Sequence, residues 1–142
     1  MFEASLLTLL KTDATLLTYL STFSTSTGNV PSIFDRIAPE TAVTPYLVYR
    51  IETVYQENLE IELFSIDFDY YDFNVIADTA RNAVERLFFT LDRAHIADDT
   101  RYGLIRIYKG NAYPIEGADP RDLRYHITFS ARAGRKKWMS II

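Results

Sequence analysis

Asp67 and Asp69 stand two residues apart in a stretch of alternating pattern, which puts both carboxylates on one face of a strand. Two carboxylates so placed could hold a divalent cation or share acid–base work. Either chemistry needs a third acidic ligand or a partnered histidine at a recognisable spacing, and the sequence supplies neither. A solvated or interface face is the simpler expectation, and a small metal-dependent enzyme is the contrasting class. His95 and His126 are the two histidines, and neither belongs to a known spacing. There is no Gly-x-Ser-x-Gly elbow, no glycine-rich phosphate loop and no His-Glu-x-x-His. A Ser-His-Asp triad assembles in space, so the linear pattern does not decide on one.

A basic run closes the sequence. Arg132, Arg135, Lys136 and Lys137 lead into Trp138, Met139, Ile141 and Ile142. Phosphate contact with aromatic stacking is one reading of such a run. A solvated or partner-bound tail is the other. The formal charge of -4 and the pI near 5.1 speak against a protein that wraps nucleic acid electrostatically. The apolar side chains after Lys137 are expensive to leave in water, so residues 135–142 are a candidate assembly interface, made by Arg135, Lys136, Lys137, Trp138, Met139, Ile141 and Ile142.

The elements that must position these groups centre on residues 64–93. Phe64, Ile66, Phe68 and Tyr70 alternate with Ser65, Asp67 and Asp69, the period of a half-buried strand. The period then changes. Phe73, Ile76, Ala77, Ala80, Ala83, Val84, Leu87, Phe88 and Leu91 recur at steps of three and four, drawing one apolar stripe down a long helix. Asp72 is placed to cap its start, and Arg93 stands near its negative end. Such a helix is expected to fold back over the apolar face of the strand before it.

Upstream, residues 2–23 read as helix, with Thr12 or Asp13 as the point of a break or a new cap. Residues 21–31 read as a loop, 33–36 and 46–53 as strands, 38–45 as a turn-rich connection and 55–62 as a hairpin tip. Downstream, residues 97–100 read as a polar turn and 102–109 as a strand. Residues 110–122 hold Gly110, Pro114, Gly117 and Pro120, which predicts a long loop. Residues 123–131 alternate with Leu123, Tyr125, Ile127 and Phe129 inward and Arg124, His126, Thr128 and Ser130 outward. The expectation is an α+β fold: a mostly antiparallel sheet, a long helix packed across one face, and an additional N-terminal helix. It forms one domain over residues 1–142, with an N-terminal helix and loop at 1–31 and a C-terminal tail at 132–142.

Composition narrows the partners. An apolar share of 48% is enough for a real core. Ten Tyr and nine Phe exceed what one small core needs, so some are expected in contacts with other chains. The absence of cysteine excludes a disulfide framework and any thiolate metal site. There is no basic n-region and no unbroken apolar run of the roughly 18 residues a membrane span needs, so neither a signal peptide nor a membrane partner is expected.

Three segments together resemble the tail completion (tail terminator) proteins of long-tailed bacteriophages and prophages. The first is Ile33-Phe34-Asp35-Arg36-Ile37-Ala38-Pro39 followed by Pro45-Tyr46-Leu47-Val48-Tyr49. The second is Ile66-Asp67-Phe68 with the helix containing Ala77, Ala80 and Ala83. The third is Arg124-Tyr125-His126-Ile127-Thr128-Phe129 after an acidic loop. The resemblance implies a non-enzymatic virion protein without cofactor, forming a hexameric ring on the end of the tail tube. It implies that the ring stops tube polymerisation and presents a surface to the head-side connector, with DNA only as passing cargo. A neighbouring structural reading is another neck component, such as a head-closure or adaptor protein. A ring needs one patch of a subunit to meet a different patch of the next. Residues 54–60 and 110–122 are the expected arms for that contact.

Overall fold

The computed structural model describes residues 2–56, 61–73, 77–97, 102–116 and 121–135. Its elements run α1 (Phe2–Lys11), α2 (Ala14–Leu17), β1 (Thr22–Thr25), β2 (Gly28–Pro31), β3 (Ile33–Asp35), β4 (Tyr46–Gln56), β5 (Ile61–Phe73), α3 (Ala77–Leu91), β6 (His95–Ala97), β7 (Tyr102–Glu116) and β8 (Asp122–Arg135). Six strands form one curled sheet in the order β3-β4-β5-β8-β7-β6. Every pairing in it is antiparallel except the short β3–β4 pair. The α+β, mostly antiparallel expectation therefore stands.

Strand alternation sets the core. Along β5 burial switches at every residue, with Phe64, Ile66, Phe68 and Tyr70 inward. Ile127, Phe129, Ala131 and Ala133 of β8 and Ile105 and Ile107 of β7 lie on the same side. Helix α3 covers that side with Ala80, Ala83, Val84, Leu87 and Leu91 buried. Burying Val84, Leu87 and Leu91 stabilises the fold by about 5–9 kcal/mol gross, at about 1.5–3 kcal/mol per side chain. Phe129 joins the layers: its ring meets Phe68 at 5.7 Å and Phe88 at 5.4 Å.

Helix α3 has 15 residues, no more than β7 and barely more than β8. Phe73 belongs to β5, paired with Asp122 and 44% exposed, so the helical stripe starts later than the periodicity suggested. Asp72 does not cap the helix either. It is a buried strand residue whose carboxylate accepts the Phe73 N–H at 2.8 Å and the Tyr70 hydroxyl at 3.3 Å. Ile76 lies outside the described residues. Arg93 follows the helix with φ of 63, the left-handed conformation that ends many helices.

The break in the N-terminal helix falls where two cap-prone residues predicted it. Asp13 accepts the Leu16 N–H at 3.1 Å, capping α2. The same carboxylate accepts from Arg86 Nη2 of α3 at 3.0 Å, from Arg86 Nε with both oxygens at 3.1 Å, and from the Thr90 hydroxyl, locking α2 to α3. Burial alone would push the Asp13 carboxyl up, but the Arg86 guanidinium, the Thr90 hydroxyl and the Leu16 N–H hold it below the usual range.

Two expected loops are strands. The 21–31 loop is the β1–β2 hairpin, and 110–116 continues β7 against β8. A bulge between Lys109 and Ala112 absorbs the residues that broke the pattern. Gly110 is required there, because a Cβ would stand 2.8 Å from the Thr128 carbonyl oxygen. Pro114 is tolerated because β6 covers only residues 104–106 of β7, so no described strand needs its missing N–H. The polar turn expected at 97–100 is preceded by β6, and residues 98–100 lie outside the described residues. β8 extends to Arg135, so the first four residues of the expected tail are strand.

Candidate assembly surface

All three helices contribute to one side of the sheet, and the described residues place none on the other. The helix-free face is built from the residues that alternate with the core. These are Tyr46, Val48 and Arg50 on β4, Asp67, Asp69 and Tyr71 on β5, and Arg124, His126 and Thr128 on β8. Register brings Val48, Asp69 and His126 into one row and Tyr46, Tyr71 and Arg124 into the next.

The second row is a stack. Tyr46 and Tyr71 lie 4.9 Å apart at 24°, and the Arg124 guanidinium sits 4.9 Å over the Tyr71 ring. Phe34 meets Tyr46 edge-on at 5.9 Å and Phe23 meets Phe34 at 5.4 Å. An aromatic ladder thus crosses from the β1–β2 hairpin to β8, each step worth about 0.5–1.5 kcal/mol beyond its buried area. Burial pushes the Tyr46 and Tyr71 hydroxyls above their ordinary range, with Asp122 adding to the effect at Tyr46 and Arg124 opposing it at both.

The first row holds the carboxylates singled out by spacing. Asp69 bonds His126 Nδ1 at 2.8 Å and faces the Arg124 guanidinium at 3.5 Å. Asp67 accepts from the Ser65 hydroxyl at 3.3 Å and stands opposite Arg50. Both project from one face, as the spacing required. The Asp69 carboxylate is engaged by donors that compete with a cation, and among the described residues no group of three or more His, Cys, Asp or Glu could hold a metal. His126 also lies 5.3 Å from the Tyr113 ring, while His95, on β6, accepts from Arg106 Nε at 2.7 Å. The two histidines therefore sit in separate local networks.

A concavity of about 270 Å³ opens beside these rows, lined by Arg36, Tyr46, Arg50, Asp69, Tyr71 and Arg124 among others. Its arginines meet carboxylates only loosely: Arg36 to Asp35 at 3.8 Å, Arg50 to Glu52 at 3.9 Å and Arg124 to Asp69 at 3.5 Å. Charge-assisted hydrogen bonds are shorter, about 2.7–2.9 Å. Ile37 beside it is 80% exposed and Tyr113 is 49% exposed. Tyrosine, arginine and exposed aliphatic side chains with few tight internal pairings are the composition of a protein-contact surface.

Of the interface residues expected from sequence, Arg135 ends β8, opposite Tyr102. Lys136, Lys137, Trp138, Met139, Ile141 and Ile142 lie outside the described residues. The arm expected at 54–60 divides between the end of β4 and residues 57–60, which also lie outside them. The aromatic ladder was not anticipated: its members are spread over residues 23–124, and only strand register unites them.

No protein-family model matches the sequence, and no curated protein matches it. The fold is similar to that of a chain in a solved structure described as the virion of a native gene transfer agent particle. The likeness has a TM-score of 0.70 at 15% identity and covers 93% of this chain and 93% of that one. A second solved structure aligns at a TM-score of 0.66 and 12% identity, over 93% of this chain and 92% of its own. At such identities the likeness establishes a shared fold over nearly the whole chain.

Proposed function

We propose that this chain is a structural virion protein of phage type, and within that class a tail terminator. It caps the tail tube as a homo-oligomeric ring, stops tube polymerisation and offers the head-side connector a surface, with DNA passing through the lumen. The work is binding without a reaction. The observation that carries the reading is the near full-length fold likeness to a chain of a virion. The segment resemblance around residues 33–49, 66–83 and 124–129 supplies the finer assignment. The helix-free face supports it as well, since its tyrosines and loosely paired arginines suit contact with other chains.

In this reading the ring is a hexamer of about 98 kDa, six times the 16.4 kDa of one chain. The segment from Arg135 through Lys136, Lys137, Trp138, Met139, Ile141 and Ile142 docks on a neighbouring subunit or on the tube. The protein acts in the tail or neck of the virion after assembly in the host cytoplasm. Electron microscopy of particles made without this chain tests the reading. Abnormally long or polydisperse tails are the expected result. Heads that leak DNA and lack tails would instead assign it to the head side of the neck, as a closure or adaptor protein. Particles of normal form would reject both.

A further inference from the structure

The two edges of the six-stranded sheet are built differently. On the β7 side, Pro114 removes a donor, the bulge at Lys109 bends the strand, and the Asp92 carboxylate caps the Lys109 N–H at 3.0 Å. These are the usual devices that keep a sheet edge from pairing. On the β4 side residues 50–53 pair regularly with β5, and the register shifts only beyond Thr53. β3 pairs only with Leu47, Val48 and Tyr49, and Arg36, at φ of 66, then turns the chain away. Among the described residues no strand lies beside residues 50–56 of β4 on that side. The Leu47 N–H and the Tyr49 carbonyl both point to that edge, bonded to Ser32 and Arg36. A strand alternates, so Ile51 and Thr53 present their N–H and C=O groups there too.

The β1–β2 hairpin has the complementary surplus. It is a separate two-stranded sheet, and most of its residues are exposed. Such a hairpin alone is marginal in water. Pro31 has no N–H, so its pair with Thr22 is the kind without mutual hydrogen bonds. Alternation then turns the N–H and C=O of Thr22 and Ser24 to the free side of β1. The hairpin cannot lie on its own chain's open edge. Its base is tied to the start of β4 by Ser21 N–H to the Pro45 carbonyl at 2.8 Å and Leu47 N–H to the Ser32 carbonyl at 2.9 Å. Thr53 is six residues further along, about 20 Å at about 3.3 Å per residue.

We infer that β1 of one copy pairs with the open edge of β4, at Ile51 and Thr53, in a second copy of this chain. The contact is heterologous, one end of a subunit's sheet edge meeting the other end of the next, the kind of contact whose repetition builds a ring when the rotation between neighbours closes. It rests on the assembly reading above and names the surfaces that reading needs.

Disulfide trapping in the full chain tests it, because the chain has no native cysteine. One double variant carries Ser24→Cys with Thr53→Cys. A second carries Ser24→Cys with Glu52→Cys, whose side chain points to the other face, so either orientation of the hairpin is sampled. The control pairs Ser24→Cys with Glu85→Cys on the exposed side of α3. Mild oxidation is expected to give one of the two test variants a ladder at multiples of 16.4 kDa, about tenfold above the control. Linked dimers without a ladder would uphold the hairpin contact as a reciprocal exchange and reject the ring. Yields no higher than the control overturn the inference. If the parent chain still forms rings on tail tubes in that case, the terminator reading survives and only this contact falls.

Discussion

The two faces of the sheet come from the same strands and meet opposite fates. On β5, Phe68 is fully buried beneath α3, and Asp69 beside it lies in a half-exposed network with His126 and Arg124. The covered face is apolar and interlocked with a helix. The uncovered face is aromatic and charged, its arginines held at 3.5–3.9 Å from their carboxylates. A strand that obeys period two can therefore divide its work residue by residue: one set specifies the fold, and the alternate set is free for contact with other chains. The chemistry of the second set follows from what it lacks, a covering layer.

Removing core contacts should separate the faces most sharply. Phe68→Ala is expected to cost about 3–5 kcal/mol and Leu87→Ala about 2–5 kcal/mol, read from urea midpoints. Asp69→Ala should stay within about 1 kcal/mol of the parent in the same assay, since part-exposed pairs contribute little. A Leu87→Ala midpoint equal to the parent's would deny that α3 holds the covered face.

Next in size is the lock between α2 and α3. Asp13→Ala removes a cap and a charge pair and should cost about 2 kcal/mol. Its pH dependence has a definite sign. The folded carboxyl lies below its ordinary 3.8, so its contribution is complete above that value and lost as pH falls through the folded value. Asp72 behaves in reverse. Burial pushes its carboxyl above 3.8, so the folded chain keeps a proton that the unfolded chain has released, and stability falls as pH climbs through that window. Asp72→Asn should gain on the parent as pH rises and lose that advantage below about pH 4, in thermal melts taken across the range.

The smallest expected effect concerns Asp67 and Asp69. Asp67→Asn with Asp69→Asn should leave the melting temperature nearly unchanged, and titration of the parent with Mg²⁺ or Mn²⁺ should show no binding heat. Heat that disappears in the double variant would revive the metal-dependent reading.

The covered face was legible in the sequence because alternation and helical spacing are local. Phe64 to Tyr70, Leu123 to Phe129 and the stripe from Ala80 to Leu91 all point where their periods require. Strand ends were less legible. Gly110 and Pro114 are breakers in sequence, yet a bulge and an uncovered edge let both remain in β7. Phe73 continued two periods at once, and the sheet claimed it. Asp72 could cap a helix by type, but pairing opposite Leu123 buried it in the strand. The Phe23–Phe34–Tyr46–Tyr71–Arg124 ladder had no linear signal, because it exists only through register and the turn at the hairpin base.

The central claim is that the helix-free face and its edge serve assembly while the covered face holds the fold. A combined Tyr71→Ala and Arg124→Glu variant tests it most directly, with melting temperature and tail capping measured on the same preparation. The expected result is a loss of about 1–3 kcal/mol, smaller than that of Phe68→Ala, together with failure to cap tail tubes. A variant as destabilised as Phe68→Ala, or one that still caps tubes normally, would contradict it.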